Sequence, residues 1–483
     1  SIRYGGRLGQ DAFYRVYWKW FDRDHGVNAS GHDAADDWEV FRGGFRIDWQ
    51  TSNSDSLTFQ GGIYEGDAGQ TIDFYSLTPP YTNTVDEDVK IGGGNILARW
   101  SHAFSESSNL VLQTYYDSTQ HHEVIGRLFH DIFDIEMQHR ARLNDRHDIT
   151  WGVGYRFLHD HIKGDFDTSM DPESRNHNLF GAFVQDEITL VKDFLRLTVG
   201  SKFEHNEFTG YEIQPGIRLA WTPDKGNTVW ASVSHAVRTP SRGEHDGRIV
   251  SRVLPPGDPE NPGPLPMEIS LIGNHDFDSE ELTAFELGYR LQPTDRLSWD
   301  IALFFNDYNS VFSIFYGDPT YETSPFPPHL LVPFSPENEI SGEIYGIEVV
   351  SEWQALDWWR IETWYSYLNI QLRSHGLNED VYAEIIEGGS PRHQISLRSS
   401  MDLPWHVEFD LWIRYTDNLT EQDVGSYVGL DARLCWKPRE DIEFSLVGQN
   451  LFDDHHPEFV PEFVDTYSTE VEHSLYGKIK WRF

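Results

Sequence analysis

Residues 474–483, SLYGKIKWRF, close the chain and decide its fold. Apolar or small residues in this stretch alternate one by one with polar ones, Leu475, Gly477, Ile479, Trp481 and Phe483 against Tyr476, Lys478, Lys480 and Arg482. A period of two residues places the two sets on opposite faces of an extended strand. The pattern therefore predicts a terminal strand that faces water on one side only.

Longer stretches elsewhere repeat this two-faced pattern. Their apolar faces comprise Tyr14, Val16, Trp18 and Trp20; Phe285, Leu287, Tyr289 and Leu291; and Phe409, Leu411, Ile413 and Tyr415. Charged residues such as Arg15, Glu286 and Asp410 take the alternate positions. Strands of a soluble β-sandwich also alternate, but they are usually only about five or six residues long. The greater length of these strands favours a wall that crosses a membrane.

The composition agrees with an all-β membrane protein. Only 39% of the 483 residues are hydrophobic, and the sequence contains no run of 18 apolar residues that would predict a spanning helix. A β-barrel needs an apolar residue only at every second position, because its strands bond to their neighbours. The 17 Trp, 22 Tyr and 30 Phe suit the aromatic girdles of such a barrel. A soluble β-protein is the alternative.

Net charge and cysteine content exclude several kinds of site and partner. The single cysteine, Cys435, excludes an internal disulfide and a cysteine-based metal cluster. Because it alternates with Leu434 and Trp436, we expect it to face the interior. The net charge of −40 argues against a nucleic-acid partner. Two interpretations of this charge stay open, namely solvated acidic loops and a negative funnel that gathers cations or cationic chelates.

Turn signals divide residues 1–483 into about 21 strands. Short connectors alternate with longer polar connections, which run from Asp24 to Asp37, Asp67 to Lys90, His161 to Arg175, Arg238 to Ser279, Gly317 to Ile340, Ser374 to Ser390 and Phe452 to Val471. Short periplasmic turns and long extracellular loops are typical of a large transmembrane antiparallel β-barrel. Such barrels have an even number of strands, so we expect one more strand before Ser1 and about 22 in total.

Several strings resemble the TonB-dependent outer-membrane receptors. WASVSHAVRTPSR, residues 230–242, resembles the family's strand that climbs to an outer loop through an Arg-x-Pro segment. FELGYR (285–290) is similar to the next descending strand, and QNLFD (449–453) to the segment before the last outer loop. RYGGRLG and YRVYWKWFDRD fit the family's first hairpin, and the terminal WRF completes the set. The resemblance implies that Trp481 and Phe483 form the signal read by the barrel assembly machinery.

The resemblance implies an outer-membrane transporter that imports a scarce nutrient, most often a ferric siderophore, with energy from the TonB complex. Its partners would be that complex, the assembly machinery, outer-membrane lipid and lipopolysaccharide, and an iron chelate. The family's N-terminal plug domain and TonB-box are not found in residues 1–483, so we expect the sequence to cover the barrel domain without the plug and first strand. The alternatives are a passive porin-like channel and an adhesin or structural barrel.

Candidate ligand or plug contacts lie in the connection that begins at Arg238. Arg238 would face an anionic chelate or an acidic plug group, or else pair with a rim carboxylate. His245 and His275, with the pairs His121-His122 and His455-His456, would bind a metal or haem through imidazole. Adjacent residues of a strand point to opposite faces, so only one histidine of each pair can face the lumen.

Other chemistry finds little support in the sequence. Four aspartates, Asp24, Asp33, Asp36 and Asp37, lie close together, but without the spacing of a twelve-residue calcium loop. Binding of a calcium ion that stiffens this loop is an alternative that stays open. Otherwise we expect no resident cofactor, and iron would be present only in the transported ligand. Motifs of hydrolases, zinc proteases and phosphate-binding loops are missing from the sequence. The sequence therefore predicts a protein that is not an enzyme.

Overall fold

The computed structural model describes residues 1–375, 381–461 and 466–483. Strands β1 to β9 are Ile2–Leu8, Ala12–Arg23, Trp38–Gln50, Asp55–Tyr75, Thr82–Ser105, Ser108–Glu123, Gly126–Arg142, His147–Gly164 and Thr168–Met170. Strands β10 to β18 are Ser174–Val191, Leu195–Asn206, Gly210–Asp224, Asn227–Arg238, Gly247–Leu254, Met267–Ile272, Glu280–Thr294, Leu297–Tyr316 and Thr320–Glu322. Strands β19 to β27 are His329–Leu356, Trp359–Ser374, His393–Leu403, Val407–Thr416, Tyr427–Arg439, Ile442–Gln449, His455–His456, Val471–Glu472 and Ser474–Trp481.

Helices are short and few in the described part of the chain. They are α1, Arg242–Asp246, and α2, Val381–Gly388, with one 3-10 turn at Pro404–His406. None of the described helices has the length and apolar character needed to cross a membrane.

Twenty-one strands follow one another as antiparallel neighbours in a single sheet. Their order is β1 to β8, β10 to β13, β16, β17, β19 to β24 and β27. This number agrees with the about 21 strands that the turn signals predict. The first and last strands of the order, β1 and β27, each have one paired neighbour among the described residues.

The two rims of the sheet differ in their connections. Ten connections of two to four residues lie on one side, which we call the turn rim. The other side, the loop rim, carries most of the long connections, and the longest runs from 239 to 279. Strands β9, β14, β15 and β18 extend the sheet there, and β15 pairs in parallel with the first residues of β19.

The expected loops contain more strand than the sequence predicts. Residues 329–340 of the expected loop from Gly317 to Ile340 already belong to β19. Residues 67–90 are not a loop, because β4 continues to Tyr75 and β5 begins at Thr82, with register kept throughout. One face of this hairpin carries polar residues such as Asp67, Asp86 and Asp88, and the other face carries Ile72 and Val89, which are buried. The polar composition was therefore a poor guide to its structure.

The strands have the two faces that the sequence predicts. On β16, Phe285 and Leu287 are exposed outward, and the intervening Glu286 accepts a hydrogen bond from Ser232 of β13. On β23, Cys435 is fully buried between the exposed Leu434 and Trp436. Such alternation suits a wall with an apolar outer face and a polar inner face.

The inner face is lined by ion pairs between adjacent strands. Arg433 lies 2.8 Å from Asp410, and Arg156 lies 2.9 Å from the buried Asp134. Apolar packing is instead found above the sheet, where Tyr75, Leu77, Val250 and Val253 form a small core between connections of the loop rim. This core fixes the 239–279 connection against the neighbouring loops.

Candidate functional site

Arg238 closes the base of the 239–279 connection. It is the last residue of β13 and lies opposite Glu280, the first residue of β16. Its guanidinium donates to Glu280 at 2.7 Å and to Glu244 at 2.9 Å. Burial alone would raise the pKa of Glu244, but Arg238 and the Ser241 backbone lower it. Arg238 thus pairs with two carboxylates of the loop rim. A contact between Arg238 and a ligand or plug stays a prediction.

The short helix α1 follows Pro240 and begins with a capping box. The Ser241 hydroxyl accepts from the Glu244 N–H, and the Glu244 carboxylate accepts from the Ser241 N–H at 2.7 Å. Each interaction satisfies a backbone donor that the helix start leaves free. The cap thereby fixes where Arg242, His245 and Asp246 point.

Four charged residues connect α1 to the inner wall, and we call them the latch: Asp160, Arg175, Arg242 and Asp246. Arg242 Nε lies 3.1 Å from Oδ2 of Asp160 on β8, and the same side chain also pairs with Asp246. Arg175 of β10 donates to Asp246 Oδ2 at 2.6 Å. Both aspartates are almost completely buried. Buried charges of this kind persist only when they are paired.

Electrostatics keep Asp246 ionised. Burial alone would raise the pKa of Asp246, but hydrogen bonds from His245, Arg175 and Arg242 lower it to about 2. The carboxylate therefore carries its charge at any physiological pH, and it holds α1 against β10.

His245 and His275 come together on this aspartate. Their rings stack with centroids 4.2 Å apart at an interplanar angle of 16°. His245 Nδ1 lies 2.7 Å and His275 Nε2 lies 3.2 Å from Asp246 Oδ1. The sequence selected both histidines but gave no sign of Asp246 between them.

The three residues do not fit a shared metal ion as they lie. Their ligand atoms are within 4.8 Å of one another, but an ion bound by both imidazoles would have to lie near both ring planes. Two nearly parallel, stacked rings with centroids 4.2 Å apart offer no such position. Two arginines also occupy Asp246, and their positive charge disfavours a cation.

Unpartnered polar atoms surround the latch on the inner wall. His177 Nε2 lies 3.3 Å from Asp160 Oδ2 without hydrogen-bond geometry. Asp160 Oδ1 and both ring nitrogens of His177 have no hydrogen-bond partner in the described part of the chain. Phe208 packs against His177 and His245, with each pair of ring centroids 4.9 Å apart. These unpartnered polar atoms are therefore buried beside an aromatic side chain.

The other histidine pairs lie elsewhere. His121 and His122 lie on β6, where His121 shares the inward parity of Tyr115 and His122 shares the outward parity of the exposed Tyr116. In the last connection, His455 pairs with Glu470, and His456 stacks on Tyr427 with centroids 4.1 Å apart. These contacts do not bring either pair to His245 and His275.

The acidic loop after β2 is held by local contacts. His25 lies 3.0 Å from Asp24 and 3.3 Å from Asp33, and Asp36 accepts from the Gly26 N–H at 2.7 Å. A calcium ion in this loop stays a prediction.

Asp167 provides a pH-dependent contact at the loop rim. It is buried in the connection 165–173, and its carboxylate accepts from the N–H of Tyr75, the last residue of β4, at 2.5 Å. Burial raises the pKa of Asp167 to about 6. Stability contributed by the protonated form is complete below about pH 4, where the unfolded chain is also protonated, and is lost as the pH rises through about 6.

Replacement of Asp167 by Asn should therefore stabilise the loop rim around this contact at neutral pH, because it removes the cost of burying the ionised carboxylate. The amide oxygen can still accept from Tyr75 but carries no buried charge. We expect the Tyr75 amide to exchange up to about 100-fold more slowly in Asp167→Asn at pH 7.5, since two pKa units correspond to that factor. After correction for intrinsic exchange rates, the two proteins should show the same Tyr75 exchange rate near pH 4. An equal difference at pH 4 and pH 7.5 would contradict the raised pKa of Asp167.

Comparison with known proteins assigns this architecture to a family. The family model described as TonB dependent receptor-like, beta-barrel, matches residues 2–451. The chain belongs to the TonB-dependent receptor family. Among curated protein sequences, none matches it.

Solved TonB-dependent receptor structures share its shape. The siderophore receptor PirA from Acinetobacter baumannii has a TM-score of 0.75 at 14% identity, with 100% of this chain and 77% of that chain covered. A variant of the ferric enterobactin receptor PfeA from Pseudomonas aeruginosa, in complex with enterobactin, gives 0.73 at 13%, covering 100% and 78%. The FrpB iron transporter from Neisseria meningitidis gives 0.74 at 10%, covering 100% and 79%. At these identities the likeness shows the fold alone.

Membership in the TonB-dependent receptors confirms the barrel fold predicted from the alternating strands. Receptors of this family are outer-membrane transport proteins rather than enzymes. The loop rim, with the latch and the stacked histidines, then corresponds to the side that carries the long outer loops.

Proposed function

We propose that this chain is the barrel of an outer-membrane receptor that binds and imports a ferric siderophore, with energy supplied through the TonB complex. The observation that carries the proposal is the family match over residues 2–451. The shape shared with siderophore and iron receptors supports the choice of solute. A plug domain with a TonB-box, encoded outside residues 1–483, is part of the proposal.

In this proposal the solute binds between the outer loops and the upper inner wall. The latch holds the longest connection in a fixed position over β8 and β10, and the exposed imidazole of His275 lies beside it. Solute binding selects one arrangement of these loops. Traction on the plug from the periplasm then opens a path through the lumen.

Uptake of single iron sources tests the proposal. Cells that lack the gene should lose uptake of at least one ⁵⁵Fe-loaded siderophore, and the gene on a plasmid should restore it. The same uptake should be lost when the tonB gene is deleted. A passive channel would instead keep uptake without TonB, and unchanged uptake of every chelate after gene deletion would reject the siderophore proposal.

The end of the chain should matter for assembly in cells. Trp481 and Phe483 are both largely exposed, with ring centroids 5.7 Å apart. They are therefore available to the barrel assembly machinery. We expect Phe483→Ala to lower the amount of folded barrel in the outer membrane several-fold, measured by heat-modifiable migration on gels. Refolding into detergent, which needs no machinery, should be unchanged, and a loss in both settings would indicate a structural role.

A further inference from the structure

A buried group of charged residues joins two parts of the loop rim. Arg248 of β14 and Glu268 of β15 belong to the 239–279 connection, whereas Glu322 of β18 and His329, the first residue of β19, follow β17. Glu322 lies opposite His329 in the β18–β19 pair. The side chains of Glu268 and His329 are completely buried, and that of Glu322 is partly exposed.

The imidazole of His329 is oriented by the backbone. Its Nδ1 lies 3.0 Å from the carbonyl oxygen of Pro327. Because a carbonyl oxygen only accepts, Nδ1 carries the hydrogen, and in the neutral ring Nε2 then presents its lone pair. This Nε2 lies 3.3 Å from Oε2 of Glu268 and 3.4 Å from Oε2 of Glu322. Three atoms that bear lone pairs therefore face one another.

Two of these atoms have no hydrogen-bond partner. Within the described residues, neither Oε2 of Glu268 nor Nε2 of His329 makes a hydrogen bond. The other oxygen of Glu268 accepts from Ser270 at 2.6 Å and from Arg248 at 2.7 Å. A buried polar atom without a partner is costly. A cation between Oε2 and Nε2 would satisfy both atoms.

The charge of this group also favours a cation. Arg248 donates to Glu268 at 2.7 Å and to Glu322 at 3.0 Å, so one guanidinium serves two carboxylates. Asp167 lies close enough that Glu268 adds to the rise in its pKa, of which burial is the main cause. Above that pKa of about 6, three ionised carboxylates near one arginine leave an excess of negative charge, and buried charges need a partner.

The separations fit a metal ion that is held by nitrogen and oxygen. In tetrahedral zinc sites, bonds of about 2.0–2.2 Å place neighbouring ligand atoms about 3.3–3.5 Å apart. Both separations from Nε2 of His329 lie in this range. A histidine that binds a metal usually donates its other ring nitrogen to a carbonyl or carboxylate, as His329 does to Pro327. The obstacle of two stacked imidazoles does not arise here, because the site has one ring.

We propose that Glu268, Glu322 and His329 bind a divalent transition-metal ion of the zinc type. Nε2 of His329 and Oε2 of Glu268 form the buried side of the site, and the partly exposed Glu322 closes on the ion from the solvent side. The ion would join the 239–279 connection to β18 and β19. This assignment concerns the loop rim itself and does not depend on the transported solute.

Hydrogen exchange of the purified receptor, stripped of metal with EDTA, tests the site. Added zinc should slow exchange in β18 and in the first residues of β19. The rate should fall about tenfold at ten times the zinc concentration that gives half-maximal protection, because a ligand suppresses opening in proportion to its saturation. Magnesium should give no protection, since it prefers oxygen ligands to imidazole. Protection by both ions, or by neither, would overturn the proposal.

Matched variants locate the effect. His329→Gln should abolish the protection by zinc, and Glu322→Gln should raise the half-maximal zinc concentration at least about tenfold, the effect that loss of an outer-shell group alone can cause. His473→Gln removes an exposed imidazole elsewhere in the chain and should leave the protection unchanged. Heat-modifiable migration should show that the variants are folded, and Glu322→Gln decides if His329→Gln does not fold. Unchanged zinc protection in folded Glu322→Gln would overturn the site.

A proton on both ring nitrogens of His329 is the alternative to a metal ion. Such a proton would protect β18 and the start of β19 increasingly as the pH falls, and zinc would add nothing. That result would overturn the metal site and leave the siderophore proposal, which is tested by uptake, untouched.

Discussion

Arg242→Met should detach the longest connection of the loop rim from the inner wall. The substitution leaves Asp160 and Asp246 buried without the cation that joins them, and loss of one partner of a buried ion pair destabilises by about 3–5 kcal/mol. Amide protons of α1 should then exchange at least about 100-fold faster, because each 1.4 kcal/mol is a factor of ten. Hydrogen exchange followed by mass spectrometry measures this effect.

Arg252→Met provides the matched control. Arg252 lies on β14 in the same connection, but it and its partner Glu260 are largely exposed, and exposed ion pairs contribute about 0–1 kcal/mol. Exchange in α1 should be nearly unchanged in this variant. Equal protection in both variants would show that the latch does not hold the connection.

Gly288→Ala should prevent normal folding of the barrel wall. A Cβ atom at Gly288 would lie 2.1 Å from Cε2 of Trp230, with two further indole atoms within 2.5 Å. The collision is relieved only if the Trp230 ring leaves this position and gives up its contact with Arg218, which lies over the ring at 4.9 Å. Overpacking of this kind typically destabilises by about 1–3 kcal/mol or more. We expect a large loss of the heat-modifiable folded band.

Two further variants test whether the loss of folded protein comes from the collision between residue 288 and the Trp230 ring. Gly216→Ala on β12, which pairs with the other side of β13, should fold normally, since its nearest neighbour would be Ser234 Cβ at an ordinary 3.6 Å. Trp230→Ala in the Gly288→Ala background should restore much of the folded band, because it removes the colliding ring. A fully folded Gly288→Ala protein would show that the indole does not lie against this glycine.

The strand wall could be predicted from the sequence because alternation is a local property. Residues such as Leu434, Cys435 and Trp436 reveal their faces without knowledge of any neighbour. The 67–90 hairpin was not recognised in this way, because its many polar residues obscure the one face that carries the buried Ile72 and Val89. Strand number was predictable, whereas strand length above the band was not.

The candidate site was predicted only in part. His245 and His275 were selected as imidazoles within one long connection, but Asp160 and Arg242 are separated by 82 residues. Their pairing depends on how α1 lies against β8, which no local pattern encodes. The one available signal was the string RGEHD after the Arg-x-Pro segment, where a cap places charged residues in a defined order.

Accessibility along β16 tests the central claim, a wall with lipid outside and water within, most directly. In a Cys435→Ser background, single cysteines at 285, 286, 287, 289 and 290 would carry a spin label in vesicles. Labels at Phe285, Leu287 and Tyr289 should be relaxed by oxygen from the lipid, and those at Glu286 and Arg290 by a water-soluble nickel chelate. Accessibility that does not alternate with a period of two, or water access at every position, would contradict the account.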